Sequence, residues 1–196
     1  MRQGVTIWLT GLPSAGKSTI ARRLVERLEP RGLPVVVLDG DEVRENLTKG
    51  LGFSREDRDE NIKRIAWVAR LLSRVGAVVV VAAISPYRAA RDAARASIGR
   101  FAEIHVHCPV EECIRRDVKG LYKKALDGRI QHFTGIDDPY EPPLNPEVEV
   151  RTHRETVDES AARIVATLEA FGFLPVETAD AITSLWQAPI SELPEA

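Results

Sequence analysis

A doubly wound α/β domain, with a mostly parallel five-stranded sheet and helices on both faces, is the fold class that this sequence predicts, on three observations. Five short runs rich in valine and isoleucine are nearly all apolar, as strands covered on both faces are. Between them lie stretches with an apolar residue every three or four positions, the pattern of helices that bury one side. The length of 196 residues, 44% hydrophobic and 29% charged, suits one such domain and leaves little room for a second core.

The strand-like runs fall at residues 5–10, 35–39, 77–84, 104–107 and 148–150. The first helix starts near Lys17, because Ile20, Ala21, Leu24, Val25 and Leu28 share one helical face until Pro30 and Gly32 stop it. A second spans 55–75, where Ile62, Ile65, Ala66, Ala69 and Leu72 form the stripe and Gly76 closes it. Further helices fit 86–98, 110 to about 122, and 156–171. Residues 127–146 have no helical period and carry four prolines, which predicts a long loop, and a loop of that length in a compact domain is usually functional. Residues 1–172 form the expected domain. Residues 173–196 read as a C-terminal tail that packs on the domain, mediates a dimer or hangs loose.

Composition removes several function classes. A net charge of −2 offers no global basic excess to steer the chain to nucleic acid or to an anionic membrane, so any anion must be bound locally. The longest apolar run, 77–84, falls far short of the roughly 20 residues that span a bilayer. The apolar stretch 5–9 is too short for a secretory leader, and a cytoplasmic location is expected. Cys108 and Cys113 are too few for a disulfide framework or a zinc site. His105 and His107 face the same way on a strand with no third ligand nearby in sequence, so no metal is assigned to the histidines.

Ligands of such sheets sit at the carboxyl ends of the strands. After the first strand comes Gly11-Leu12-Pro13-Ser14-Ala15-Gly16-Lys17-Ser18-Thr19, which satisfies G-x-x-x-x-G-K-[ST] between a strand and a helix. Glycines let the loop turn its N–H groups around phosphate oxygens, and the helix N-terminus points at the same place. This predicts a P-loop NTPase fold that takes ATP, with Lys17 on the β- and γ-phosphates and the Ser18 hydroxyl on Mg²⁺. The alternative is a glycine-rich turn that binds nothing. The third strand ends in Ser85 where many P-loop proteins place a magnesium-directed acid, and the carboxylates stand one strand earlier, at Asp39 and Asp41 around Gly40. One of them is expected near the metal or the attacking hydroxyl, and the other near the acceptor. Asp41 also fits a helix N-cap, a role compatible with the first.

Seven blocks in order resemble the adenylyl-sulfate kinases: the loop above; Leu38-Asp39-Gly40-Asp41; Leu51-Gly52-Phe53-Ser54; Asp57-Arg58 with Glu60-Asn61-Ile62; Ile84-Ser85-Pro86-Tyr87-Arg88; Asp117 with Lys119-Gly120-Leu121-Tyr122-Lys123-Lys124-Ala125; and Phe133-Thr134-Gly135-Ile136-Asp137-Asp138-Pro139-Tyr140-Glu141. The resemblance implies transfer of the γ-phosphoryl group of Mg·ATP to the 3′-hydroxyl of adenylyl sulfate. It implies acceptor contacts at Asp41, Arg44, Phe53, Arg58, Asn61, Ile84, Ser85, Lys119, His132 and Phe133, a homodimer, and a possible link to ATP sulfurylase. Catalytic roles are expected for Lys17, Asp39, Asp41 and Ser85, and metal ligation for Ser18 and Asp39.

Spacing alone leaves alternatives beside these roles. Arg58 and Asn61 share one face of a helix start and could instead be a solvated face. Phe53 and Phe133 stand in polar loops, either sandwiching an adenine or anchoring their own loops. The resemblance attaches a phosphoserine intermediate to Ser85. Direct in-line attack by the acceptor hydroxyl needs no covalent stop, so Ser85 reads first as a ligand contact. Residues 119–146 are expected to close over both substrates as a lid, and Arg115 or Arg116 to serve the ATP side. The remaining readings are a P-loop kinase of another small acceptor, such as a nucleoside monophosphate or a shikimate-like alcohol, and a catalytically silent nucleotide-binding regulator.

Overall fold

The computed structural model describes residues 3–176, and most of the expected tail, 177–196, lies outside them. In chain order the elements are β1 (Val5–Thr10), α1 (Lys17–Leu28), β2 (Val35–Asp39), α2 (Gly40–Asn46), α3 (Arg55–Arg74), β3 (Val78–Ala82), α4 (Arg88–Ile98), β4 (Phe101–His107), α5 (Val110–Arg116), α6 (Leu121–Leu126), β5 (Val148–Arg151) and α7 (Val157–Ala170). The strands lie in the order β2-β3-β1-β4-β5, and each neighbouring pair is parallel. From β1 the chain crosses to β2 at one edge, returns to β3 beside β1, and then runs outward through β4 to β5 on the other side. The carboxyl end of β1, flanked by β3 and β4, is therefore the switch point where such sheets open a crevice.

The period of two in each strand feeds two cores. Val78, Val80 and Ala82 of β3 join Ile7 and Leu9 of β1 under α1, α6 and α7, where Leu24, Tyr122 and Ile164 are fully buried. Val79 and Val81 join Trp8 under α3 and α4, with Ile65, Ala69 and Ala94. Burying a side chain of the Val, Leu or Ile kind is worth about 1.5–3 kcal/mol, so the central strands, occupied on both faces, fix the register.

Three elements differ from the sequence reading. The fourth strand starts at Phe101 rather than 104, since Phe101 stacks on Trp8 at 5.5 Å and belongs to the second core. A short helix, α2, follows β2, and its N-cap is Asp39 rather than Asp41: the Asp39 carboxylate accepts the Asp41 N–H at 3.0 Å. The single helix expected from 110 to about 122 is two, broken at Asp117 with φ 22°. The Asp117 carboxylate accepts the N–H groups of Tyr122 and Lys123, 2.9 and 3.0 Å away, and so starts α6 in a new direction.

Candidate active site

The P-loop leaves β1 through Gly11, where any Cβ would collide with the Val106 carbonyl oxygen of β4. Gly16 holds φ 102° as the cap of α1, a backbone that glycine adopts without strain. Between them the chain turns tightly enough to aim Lys17 back at its own loop. Its ammonium donates to the carbonyls of Gly11 and Leu12 at 2.9 and 2.8 Å. Burial pushes the Lys17 ammonium down to about 8, against the opposing pull of Cys113 and Asp39. Ser18 donates to Asp39 at 2.6 Å, which joins the loop to the end of β2.

A cleft of about 500 Å³ opens above this loop and unites its Pro13, Ser14 and residues 16–19 with Asp39, Asp41, Arg44, Phe53, Arg58, Asn61, Ile84, Ser85, Lys119, His132 and Phe133. Gly11, Leu12 and Ala15 lie outside the lining and shape the loop from behind. Every acceptor residue expected from the sequence therefore faces one space.

Individual side chains sit differently from the simplest expectation. Arg58 and Asn61 are not a solvated face: both are 6% exposed. Arg58 donates from Nε to the Phe53 carbonyl at 2.9 Å and from its terminal nitrogen to the carbonyl of His132, 74 residues further along the chain, at 2.5 Å, and so joins two loops. Asn61 accepts from Thr48 at 2.8 Å. The two phenylalanines are unequal. Phe53 is 53% exposed with the Arg44 guanidinium 4.4 Å over its ring, whereas Phe133 is 8% exposed and meets Tyr122 edge-on at 4.9 Å. Phe133 thus anchors its loop and walls the cleft at once. Burial, followed by the nearby Arg58, lowers the pKa of Arg44.

Asp41 and Lys119 pair across the mouth of the cleft, both largely exposed. Ser85 lines the cleft with φ 47°, and its hydroxyl is turned into the sheet, where it accepts from the Trp8 indole at 3.0 Å and lies 3.4 Å from the Ala83 carbonyl. Arg116 rather than Arg115 is tied to the P-loop, through Thr152. It donates to the hydroxyl and carbonyl of Thr152 at 3.1 and 2.7 Å, and Thr152 donates to the Ala15 carbonyl of the P-loop. Arg115 is exposed and paired with Glu112.

Sequence reasoning missed the residues that support this lining from other segments. Tyr122 donates to the Pro13 carbonyl at 3.1 Å, and Arg91 donates to the carbonyls of Ser85 and Glu141 at 2.6 and 2.7 Å. Their signal lay inside the quoted blocks or on a helix face that reads as ordinary. A third histidine does come near: His153 meets His107 at 5.5 Å. Among the described residues no group of three His, Cys, Asp or Glu side chains is placed to hold a metal.

A parallel sheet whose first strand feeds a lysine-bearing phosphate loop, beside a walled second compartment, defines a P-loop phosphotransferase of the small-molecule kinase class. The family model described as adenylylsulphate kinase matches residues 3–151, and the chain belongs to that family. It is 61% identical over 173 residues to the adenylyl-sulfate kinase of Rippkaea orientalis, covering 88% of this chain and 96% of that protein. It is 57% identical over 172 residues to the probable bifunctional SAT/APS kinase 2 of Sorangium cellulosum, covering 88% of this chain and 30% of that one. The structure of the Mycobacterium tuberculosis APS kinase in complex with AMPPNP and APS superposes with a TM-score of 0.84 at 42% identity, over 86% of this chain and 99% of that one.

Proposed function

We propose that this chain is an adenylyl-sulfate kinase that transfers the γ-phosphoryl group of ATP to the 3′-hydroxyl of adenylyl sulfate, releasing ADP and 3′-phosphoadenylyl sulfate. One observation carries the reading: a single cleft is lined both by the phosphate loop and by two phenylalanines from separate loops together with Arg44, Arg58 and Asn61. A flat base between aromatic faces and a diester-like anion against guanidinium groups fit that compartment. A shikimate-like acceptor has no use for paired rings.

The donor set at Ser18 and Asp39, a hydroxyl and a carboxylate 2.6 Å apart, is hard oxygen and suits Mg²⁺, which takes few protein ligands and completes its shell with water and phosphate. Held by Ser18 and Asp39, Mg²⁺ would supply charge neutralisation to the bound phosphates. Lys17 leaves the Gly11 and Leu12 carbonyls for the phosphates, and the loop amides share the charge. Asp39, fixed by Ser18 and by the Asp41 N–H, orients the 3′-hydroxyl or takes its proton. Asp41 and Lys119 close the acceptor end. Ser85 acts as a ligand contact, its hydroxyl held by the Trp8 indole, and direct in-line attack by the 3′-hydroxyl needs no phosphoserine. Residues 119–146 act as the lid that excludes water. Among the described residues no helix is long and apolar enough to cross a membrane. A cytosolic homodimer, able to associate with ATP sulfurylase, completes the proposal, and the fused relative above supports the last point.

The test is ADP release by the purified chain with Mg·ATP, with adenylyl sulfate, AMP, GMP or shikimate as acceptor. Release that depends on adenylyl sulfate and vanishes in Lys17→Ala is the expected result. Dependence on another acceptor overturns the substrate, and no turnover at all favours a silent regulator.

A further inference from the structure

Two adjacent carboxylates in the loop of residues 127–146 face different targets, and neither lines the cleft. Asp137 accepts the N–H groups of His132 and Phe133 at 2.7 and 2.6 Å. It thereby holds a turn in which His132 has φ 57°, a left-handed backbone that a residue with a side chain adopts at a cost. The Phe133 carbonyl in turn accepts from the N–H groups of Ile136, Asp137 and Asp138. Both backbone groups of Phe133 are thus used, which fixes the backbone from which its ring, packed on Tyr122, walls the cleft.

Asp138 looks the other way. Both of its carboxylate oxygens lie 3.0 Å from the Tyr87 hydroxyl, and one lies 3.7 Å from Nε of Arg58. Arg58 is almost wholly buried, and among the described residues Asp138 is the carboxylate that pairs with it. Burying a guanidinium without a counter-charge is costly, so the Asp138 carboxylate offsets part of the cost of placing Arg58 there. The contacts close into a ring: Asp137 fixes His132 and Phe133, the His132 carbonyl binds Arg58, Arg58 binds the Phe53 carbonyl, and Asp138 steadies Arg58.

We propose that Asp137 and Asp138 are positioning residues that set the spacing of the Phe53 and Phe133 walls, acting through Arg58 and the Phe133 backbone without touching substrate. The proposal rests on the adenylyl-sulfate reading of the cleft. Tyr87, which carries the far end of Asp138, belongs to the same device.

The experiment measures KM for adenylyl sulfate, KM for Mg·ATP and kcat in wild type and in Asp137→Asn, Asp138→Asn and Tyr87→Phe. Each aspartate variant is expected to raise KM for adenylyl sulfate about tenfold, the scale of one charge-assisted hydrogen bond, with Tyr87→Phe smaller and KM for Mg·ATP within about twofold of wild type. A merely structural role moves different numbers: misfolded enzyme lowers apparent kcat and leaves KM of the folded fraction alone. Equal shifts in both KM values, or none in either, overturn the proposal while wild-type turnover keeps the functional reading. A wild type that ignores adenylyl sulfate sinks that reading, and the inference falls with it.

Discussion

The two ends of the cleft are built on opposite plans. The phosphate end is one contiguous segment, Gly11 to Thr19, that offers backbone and a single lysine, after the strand at the centre of the sheet. The acceptor end is collected from segments as far apart as Asp41 and Phe133 and held by side chains that bind the backbone of other loops. A local site tolerates change around it because its geometry travels with one turn. A collected site depends on every strut.

The largest effect that this contrast predicts is at the local end. Lys17→Ala should lower kcat by about a thousandfold, as loss of a charge aimed at the transferring group does, with no dependence on the acceptor offered. Asp39→Asn should cost about a hundredfold in kcat and weaken the response to added Mg²⁺, because it removes the carboxylate charge from the Ser18 partner and proposed metal ligand. An Asp39→Asn enzyme with wild-type turnover would end that assignment.

The phenylalanines sharpen the comparison within the collected end. Phe133→Ala should destabilise the fold by about 3 kcal/mol, as truncation of a buried ring does, seen as a fall in melting temperature. Phe53→Ala should leave melting nearly unchanged and raise KM for adenylyl sulfate about tenfold, the loss of one stacking face. Equal behaviour of the two would contradict their unequal burial.

The pH profile separates the ends again. Burial lowers the Lys17 ammonium to about 8, so in free enzyme it loses its proton as pH rises through that value, and kcat/KM for Mg·ATP should fall above it. The same shift makes the unfolded chain hold the proton more tightly between about 8 and 10.5. Over that window this group's contribution to stability rises with pH even as phosphate binding is lost. The smallest effect belongs to Ser85→Ala, expected to keep kcat within a few-fold, about the worth of one neutral hydrogen bond.

Legibility in the sequence follows the same division. The P-loop was readable because strand, glycines, lysine and helix are neighbours, and the nearly all-apolar strands announced a sheet covered on both faces. Helix α2 was not, since seven residues of mixed polarity show no stripe, and its cap had to be found in a carboxylate also read as catalytic. The break at Asp117 was hidden for a similar reason: an apolar rhythm runs on through residues whose backbone turns. At the acceptor end the residue names came from resemblance to a family, and spacing alone favoured a solvated face for Arg58. What buries Arg58 is a partner 80 positions later, Asp138, and no window on the sequence contains both.

The indole of Trp8 lies fully buried beneath the acceptor wall, its N–H held by the Ser85 hydroxyl, while Trp67 stands 56% exposed on α3. With Trp67 and Trp186 replaced by phenylalanine, the remaining chromophore sits directly behind the turn that lines the cleft. Its emission then registers any movement of that turn, and the protein carries its own optical gauge of what enters the acceptor compartment.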